Sequence, residues 1–470
     1  MKRIAKWLGG LVLLALAGVV VWLAVSPPDL VRVATNYAAK MVCSNVFVAG
    51  RNADEVMAVD VQAPGHPIFK AISVDVDRDA EPPRVQAKLL GVFGTGAAVW
   101  RGPKLGCTSV PNVGLLYSST FIEGEVPPDP PRDLAALWPE GETVEASQDP
   151  KLAAILDDAA LTGPGMRAVV VVHNGRILGE RYGEGFTKNT PLLGWSMTKT
   201  VTGALLGAAM RDGGLRHDSA GLFDYWNDEG RKAITLDQMA AMSSGLSWNE
   251  GYGSVSDVTR MLYLSSDMAG FAASKSYDPE KGNPEDDRLF NYSSGTSVML
   301  SDIWMRAVKD PKSYPWRVLF HPLGMTSATF ETDANGTFVG SSYLYATARD
   351  WARFAQLLIQ RGAWKGQAVL PAGHVDWMMS PAPASMAVWG KPEYARQMWL
   401  HGPEGGIEGK DPEAAFDLPA DAVWMRGHDG QTITIMPSLD LIVLRMGLTP
   451  SKLKYQPQGL VDAVARHVGR

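Results

Sequence analysis

An α+β fold, one antiparallel sheet flanked by helices and interrupted by a large helical insertion, is what this sequence predicts. Three observations carry that prediction. Residues 166–172 form a β-branched apolar run that turns at Asn174-Gly175 into Arg176-Ile177-Leu178, a strong hairpin signal. Strand character returns at 422–426, 431–436 and 439–446, near the other end of the chain. Between the two, from Met197 to about Gln360, the pattern is mostly helical with Gly, Ser and Pro in the loops. Two chain ends that feed one sheet, separated by a helical insertion, place a cleft between sheet and helices.

The elements follow in chain order. Residues 7–25 are unbroken apolar sequence behind Lys2, Arg3 and Lys6, long enough to cross a hydrocarbon core of roughly 30 Å as a helix. The basic flank belongs in the cytoplasm, so everything after Ser26-Pro27-Pro28 is expected on the exported side, periplasmic or extracellular. The segment reads as a retained membrane anchor, with a cleaved signal ending near Ala24-Val25-Ser26 as the alternative. From Val31 to about Phe121, short β-like runs alternate with Gly and Pro breaks, which predicts a small β-rich accessory region. In an oxidising compartment its two cysteines, Cys43 and Cys107, are free to pair, and such a bridge stabilises by roughly 4 kcal/mol in the chain-entropy model. Two buried free thiols are the other reading. Pro and acidic residues over 123–132 mark a linker. An amphipathic helix opens at Pro150, and a last one covers about 459–467. The predicted organisation is 1–28 anchor or signal, 29–122 accessory region, 123–149 linker and 150–470 main domain.

A formal net charge of −6, with no basic run beyond the first residues, gives nucleic-acid binding no electrostatic support. No Cys/His spacing suggests a metal site, and no cofactor is expected.

The chemistry concentrates at Ser196-Met197-Thr198-Lys199. Positions i and i+3 of a helix share a face, so the Ser196 hydroxyl and the Lys199 amine come within hydrogen-bond reach. A serine hydroxyl is a poor nucleophile until a neighbour takes its proton, and a desolvated lysine can do so. A second Ser-x-x-Lys, Ser451 to Lys454, lies after Pro450 in polar surroundings and reads as surface. The first opens a small, apolar, buried helix that stops at Gly213-Gly214. Two further stretches fit an acyl-transfer site: Phe290-Asn291-Tyr292-Ser293-Ser294-Gly295 and Gly427-His428-Asp429-Gly430-Gln431.

In that order, the three stretches resemble the Ser-x-x-Lys, Tyr-x-Asn and Lys-Thr-Gly signatures of the serine β-lactamase and penicillin-binding protein superfamily. The nearer likeness is to its class C-like branch, which includes family VIII carboxylesterases and 6-aminohexanoate-dimer hydrolases. Supporting stretches are 242–248, 321–327 and 341–350, and the resemblance runs from about Pro150 to the end. It implies a β-lactamase-like domain in which Ser196 is acylated, Lys199 is its base or electrostatic partner, and Tyr292 is a second proton carrier. A lysine and a tyrosine can share one mobile proton, because an ammonium stabilises a phenolate. The resemblance also implies an oxyanion hole from the backbone N–H groups of Ser196 and Gln431. His428, Gly430 and Ser294 would line the substrate site, and Tyr252 lies where the dimer hydrolases carry a substrate-contacting tyrosine.

Two departures narrow the chemistry. Ser294 stands where β-lactamases have Asn, and His428-Asp429-Gly430 stands where they have Lys-Thr-Gly. Without the amide and the lysine, β-lactam recognition is weakened, whereas ester or linear-amide hydrolysis keeps its nucleophile and shuttle. His428 can equally be structural, hydrogen-bonded along a strand edge. Trp195, Trp248 and Trp424, beside the motifs, either wall an apolar cleft or belong to the core. The expected activity is hydrolysis of a small ester or amide by an exported serine hydrolase held to the membrane by its first helix. A cell-wall D,D-peptidase and a non-catalytic module of the same fold are the alternatives.

Overall fold

The computed structural model describes residues 2–111, 126–280, 289–406 and 409–469. The first three residues of the expected linker, and the end of the expected accessory region beyond Pro111, lie outside them. The chain divides into two compact units. One comprises 1–121, 250–266 and 333–335; the other holds the rest.

In the first unit, helix α1 (Lys2–Val25) is long and apolar enough to cross a membrane, and none of its apolar window is buried. A second helix, α2 (Asp29–Phe47), occupies sequence expected to be β-like. Its β-branched residues misled the reading. No glycine or proline interrupts 29–47, Asp29 sits in the first turn, and Val31, Ala34, Ala38, Val42 and Val46 recur at helical spacing and are buried. Strands β1 (Ile72–Asp77), β2 (Arg84–Leu89), β3 (Phe93–Trp100) and β4 (Cys107–Ser109) form an antiparallel sheet in that order. Helix α2 lies so close to β3 that a Cβ on Gly96 would stand 2.3 Å from the Asn36 nitrogen, so only glycine fits there. The Asn36 side chain accepts the Ala97 N–H at 3.2 Å, and Cys43 is disulfide-bonded to Cys107 with the Cα atoms 6.1 Å apart. The helix Asp257–Leu264, from the middle of the sequence, completes this unit. Tyr263 packs its ring 5.4 Å from that of Tyr37, and Arg260 pairs with Asp29.

The second unit is built on a five-stranded antiparallel sheet. In chain order its strands are β5 (Met166–His173), β6 (Arg176–Tyr182), β7 (Val423–Gly427), β8 (Gln431–Met436) and β9 (Leu441–Gly447), and in space they run β7-β8-β9-β5-β6. Asn174 and Gly175 take φ of 49° and 73°, the left-handed pair that a two-residue hairpin turn requires. Val443 registers with Val171, which joins the two ends of the chain. Helices α3 (Pro150–Asp157) and α7 (Gln458–Val468) cover one face, where Leu152, Leu156, Val169, Val171, Trp424 and Val464 form a core. Helix α6 (Ala348–Ile359), capped by Thr347, packs against β5, β8 and β9. The helical insertion contributes α4 (Thr198–Gly213), closed by Gly214 at φ 76°, and α5 (Ser294–Ala307), capped by the Ser293 side chain. The second Ser-x-x-Lys copy is exposed from Ser451 to Lys454.

Residues 126–149, expected to be part of a linker, belong to this second unit. Trp138 is buried and its indole N–H donates to the Arg349 carbonyl at 3.3 Å. Glu142 receives Arg132 at 2.6 Å, Arg353 at 2.7 Å and Arg349 at 3.3 Å. Burial pushes the Glu142 carboxyl up, but these three guanidinium groups outweigh it and hold it below the usual range.

Helix α4 is lined by His374. A Cβ on Gly207 would fall 2.3 Å from the imidazole, whose Nε2–H donates to the Gly203 carbonyl at 2.9 Å. Burial, against the pull of that hydrogen bond, depresses His374 to about 4. Because the unfolded chain takes up this proton near pH 6.5, stability from His374 is complete above pH 6.5 and is lost as the pH falls through 4. We expect urea midpoints to drop between pH 7 and pH 4 by an amount that His374→Gln reduces. His374 accounts for about 3 kcal/mol of that change, and an unchanged pH slope in the variant would refute the assignment.

Candidate active site

The turn that carries Ser196 is held from three sides. Gly194 donates to the Leu344 carbonyl at 3.0 Å, as the short pairing of Leu192–Leu193 with Leu344–Ala346 ends. Trp195 follows at φ 49°, a left-handed conformation that a bulky residue adopts only when its surroundings enforce it. Its ring is fixed 6.1 Å from Tyr343 and 5.5 Å from His428. Ser196 then lies in a single 3-10 turn, Trp195–Met197, partly exposed, with α4 starting two residues later.

Lys199, in the first turn of α4, is buried. Its Nζ is 2.9 Å from Ser196 Oγ, 3.0 Å from Ser294 Oγ and 3.2 Å from the Ser341 carbonyl. Three neighbours saturate the amine in either protonation state. As an ammonium it donates three bonds; as a neutral amine it donates to Ser294 and Ser341 and turns its lone pair on Ser196. Ser341 opens the supporting stretch 341–350, but the sequence assigned no role to its carbonyl. It is placed by Thr202, whose hydroxyl donates to the adjacent Gly340 carbonyl at 2.8 Å.

Tyr292 meets the lysine with its ring face. The ammonium lies 4.7 Å from the ring centroid, and no hydrogen bond joins the phenol oxygen to Ser196 or Lys199 among the described residues. The loop that carries Tyr292 is pinned by Asn291, whose N–H donates to the Met242 carbonyl at 2.8 Å and whose side chain donates to the Trp248 carbonyl at 3.2 Å. Ser294, expected to line the substrate site, is fully buried and takes its bond from Lys199.

His428-Asp429-Gly430 forms the turn of the β7–β8 hairpin rather than part of a strand. Gly427 rests on the turn that carries Ser196, where a Cβ would stand 2.2 Å from the Gly194 carbonyl oxygen. Gln431 registers opposite Gly427, and its side chain donates to the His428 and Asp429 carbonyls at 3.0 and 3.2 Å. The Gly430 carbonyl accepts from Arg445 at 2.9 Å. His428 is half-buried, with Nε2 3.5 Å from Asp429. Tyr252 belongs to the first unit and is partly buried there.

Of the three tryptophans beside the motifs, Trp424 and Trp248 are core. Trp424 is enclosed under α3 and α7, and Trp248 packs 6.3 Å from Phe271. The aromatic wall beside Tyr292 comes instead from Trp399 and Tyr394, at 4.9 and 5.7 Å. Both lie in a stretch that carries no motif. Gln397 is equally hidden in the sequence. It accepts from Ser297 at 2.6 Å through its side chain and from Thr200 at 2.8 Å through its carbonyl, which ties α4 to α5.

Comparison with known proteins identifies the family and the fold. The β-lactamase family model matches residues 158–449. The 6-aminohexanoate-dimer hydrolase of Paenarthrobacter ureafaciens is 22% identical over 332 residues, covering 64% of this chain and 78% of the relative. Among solved structures, a candidate β-lactamase from Bacteroides dorei superposes with a TM-score of 0.52 at 20% identity, over 68% of this chain and 98% of its own. A penicillin-binding protein homologue from Caulobacter crescentus gives 0.50 at 13% identity, over 69% and 99%. With the family model spanning well over half of its length, the chain belongs to the β-lactamase family of serine hydrolases.

Proposed function

We propose that this protein is a membrane-anchored, exported hydrolase that cleaves an ester or linear amide through an acyl-enzyme on Ser196. The observation that carries the proposal is the 2.9 Å contact between Lys199 Nζ and Ser196 Oγ, with the other two positions around the amine already filled. A neutral Lys199 takes the Ser196 proton as Oγ attacks the carbonyl. The developing oxyanion is held by the Ser196 N–H and by an N–H of the β7–β8 turn. Gln431 is the donor expected from the sequence; the seat of Gly427 on Gly194 favours the next N–H, that of His428. The proton then passes to the leaving oxygen or nitrogen, with Tyr292 as the second carrier once its side chain turns from presenting its ring to the amine to bringing its hydroxyl toward Oγ. Water repeats the sequence on the acyl-enzyme. The apolar helix α1 and the Cys43–Cys107 bond support anchoring and export.

Labelling with a fluorophosphonate and peptide mapping tests the nucleophile. An adduct on Ser196 is expected, and labelling confined to another residue would sink the reading. A panel of short-chain p-nitrophenyl esters, linear amides, nitrocefin and a D-Ala-D-Ala peptide then ranks substrates. Esters are expected to turn over, and preference for the peptide would favour the D,D-peptidase alternative. Tyr292→Phe keeps the ring under the Lys199 amine and removes only the hydroxyl. Its kcat should fall roughly 10²- to 10⁴-fold in steady-state assays; an unchanged kcat would reduce Tyr292 to a ring partner of Lys199.

A further inference from the structure

The turn between β2 and β3 is apolar where a turn facing water is usually polar. Its sequence is Leu89-Leu90-Gly91-Val92-Phe93, with β2 ending at Leu89 and β3 starting at Phe93. Leu90 takes φ 53° and Gly91 φ 76°, a left-handed pair that suits Asn-Gly. A leucine there strains the backbone, and it is 66% exposed, so packing inside the protein does not offset the strain. Val92 is exposed to the same extent. The turn is nevertheless braced: the Leu90 N–H donates to the Ala71 carbonyl at 2.7 Å and the Val92 N–H to the Leu89 carbonyl at 3.1 Å. Two branched aliphatic side chains are thus held outward on a fixed hairpin tip.

This tip lies beside the end of α1. Helix α1 stops at Val25, α2 begins at Asp29, and Ser26-Pro27-Pro28 is all that joins them. A link of that length spans at most about 10 Å, which keeps the first turn of α2 close to the end of the apolar helix. The hairpin meets that same junction: a Cβ on Gly94 would stand 2.6 Å from Val31 Cγ1 and 3.5 Å from Pro27 Cβ, and α1 itself touches β3. With α1 across a bilayer, Pro27 falls in the headgroup layer, roughly 5–8 Å thick on each side of the hydrocarbon. Val92, two positions before Gly94, is beside it. Lys88 precedes Leu89, and exposed Lys70 precedes Ala71, the acceptor of the Leu90 N–H. An apolar tip flanked by long cationic side chains is suited to a boundary between acyl chains and headgroups.

We propose that Leu90 and Val92 enter the exported-side interface of the bilayer that α1 crosses, so that the N-terminal unit holds the membrane at two points, a spanning helix and a hairpin tip. The proposal rests on the anchored, exported reading of α1 and adds a second lipid contact to it. A lone helix lets its cargo swivel about the helix axis; a second contact beside it fixes which face of the unit meets the lipid.

The test puts a nitrobenzoxadiazole probe on the full-length protein in phosphatidylcholine vesicles. Cys43 and Cys107 are buried and bonded to each other, so Leu90→Cys and Val92→Cys each supply the one free thiol. Both side chains are exposed, and the substitutions leave the core untouched. At both positions doxyl-labelled lipid should quench the probe, and iodide on both sides of the bilayer should not. Failure of the lipid quencher at either position overturns the inference, whether iodide reaches the probe, which puts the tip in water, or does not, which puts it against protein, a second copy of this chain included. A probe at Leu14→Cys, within α1, reports on the anchor. Lipid quenching at Leu14 without quenching at the tip defeats this inference alone, whereas no lipid quenching at Leu14 defeats the anchor reading with it.

Discussion

Ser196→Ala is expected to lower kcat/KM by roughly 10⁴-fold or more and to abolish fluorophosphonate labelling, because the proposed acyl-enzyme forms on its hydroxyl. Lys199→Ala should cost nearly as much. The amine is the one base within bonding distance of Oγ among the described residues, and the two side chains act as a unit. Their effects will therefore not add, and the double variant should match the single ones within about 10-fold. Steady-state assays on p-nitrophenyl acetate, with thermal unfolding to establish that each variant is folded, check this. A Lys199→Ala variant that retained most of the activity would remove Lys199 from the proton path while leaving Ser196 in place.

The second large effect is on stability. Arg353 is almost entirely buried and donates to Asp350 at 2.6 Å, to Glu142 at 2.7 Å and to the Gly141 carbonyl at 2.6 Å. Arg353→Ala leaves the Asp350 carboxylate buried without its countercharge and removes part of the tie between the 126–149 segment and α6, the part through Arg349 remaining. Removing one partner of such a set typically costs 3–5 kcal/mol, far more than an exposed pair would. We expect a loss of about 3–5 kcal/mol in urea-denaturation free energy. Arg353→Met with Asp350→Asn should recover part of it, since the carboxylate that loses its countercharge is then neutral. A loss below about 1 kcal/mol, the range of an exposed pair, would mean that the network is solvated.

The sequence was informative where local chemistry dictates geometry. Asn174-Gly175 and Gly213-Gly214 announce a hairpin and a helix end, because few other residues tolerate left-handed backbone. Ser196 and Lys199 share a turn, so three positions of spacing were enough to place them in contact. What had to be seen in space were groups brought in from afar: the Ser341 carbonyl, Gln397 and Trp399 carry no spacing signature. The β-like reading of 29–47 failed because β-branched residues in a helix look like a strand when the partner sheet is unknown. Tyr292 was assigned through its hydroxyl, yet the structure presents its ring, a difference of side-chain rotation that no motif encodes.

The helix Asp257–Leu264 gives the N-terminal unit a piece of chain some two hundred residues distant, and through it Tyr37 and Asp29 receive Tyr263 and Arg260. A nascent polypeptide emerging from the ribosome therefore cannot finish this unit in order of synthesis. Its first hundred residues must wait, incompletely packed, until more than half of the protein has been made. That delay makes a cut near residue 122 a poor way to obtain either half by itself.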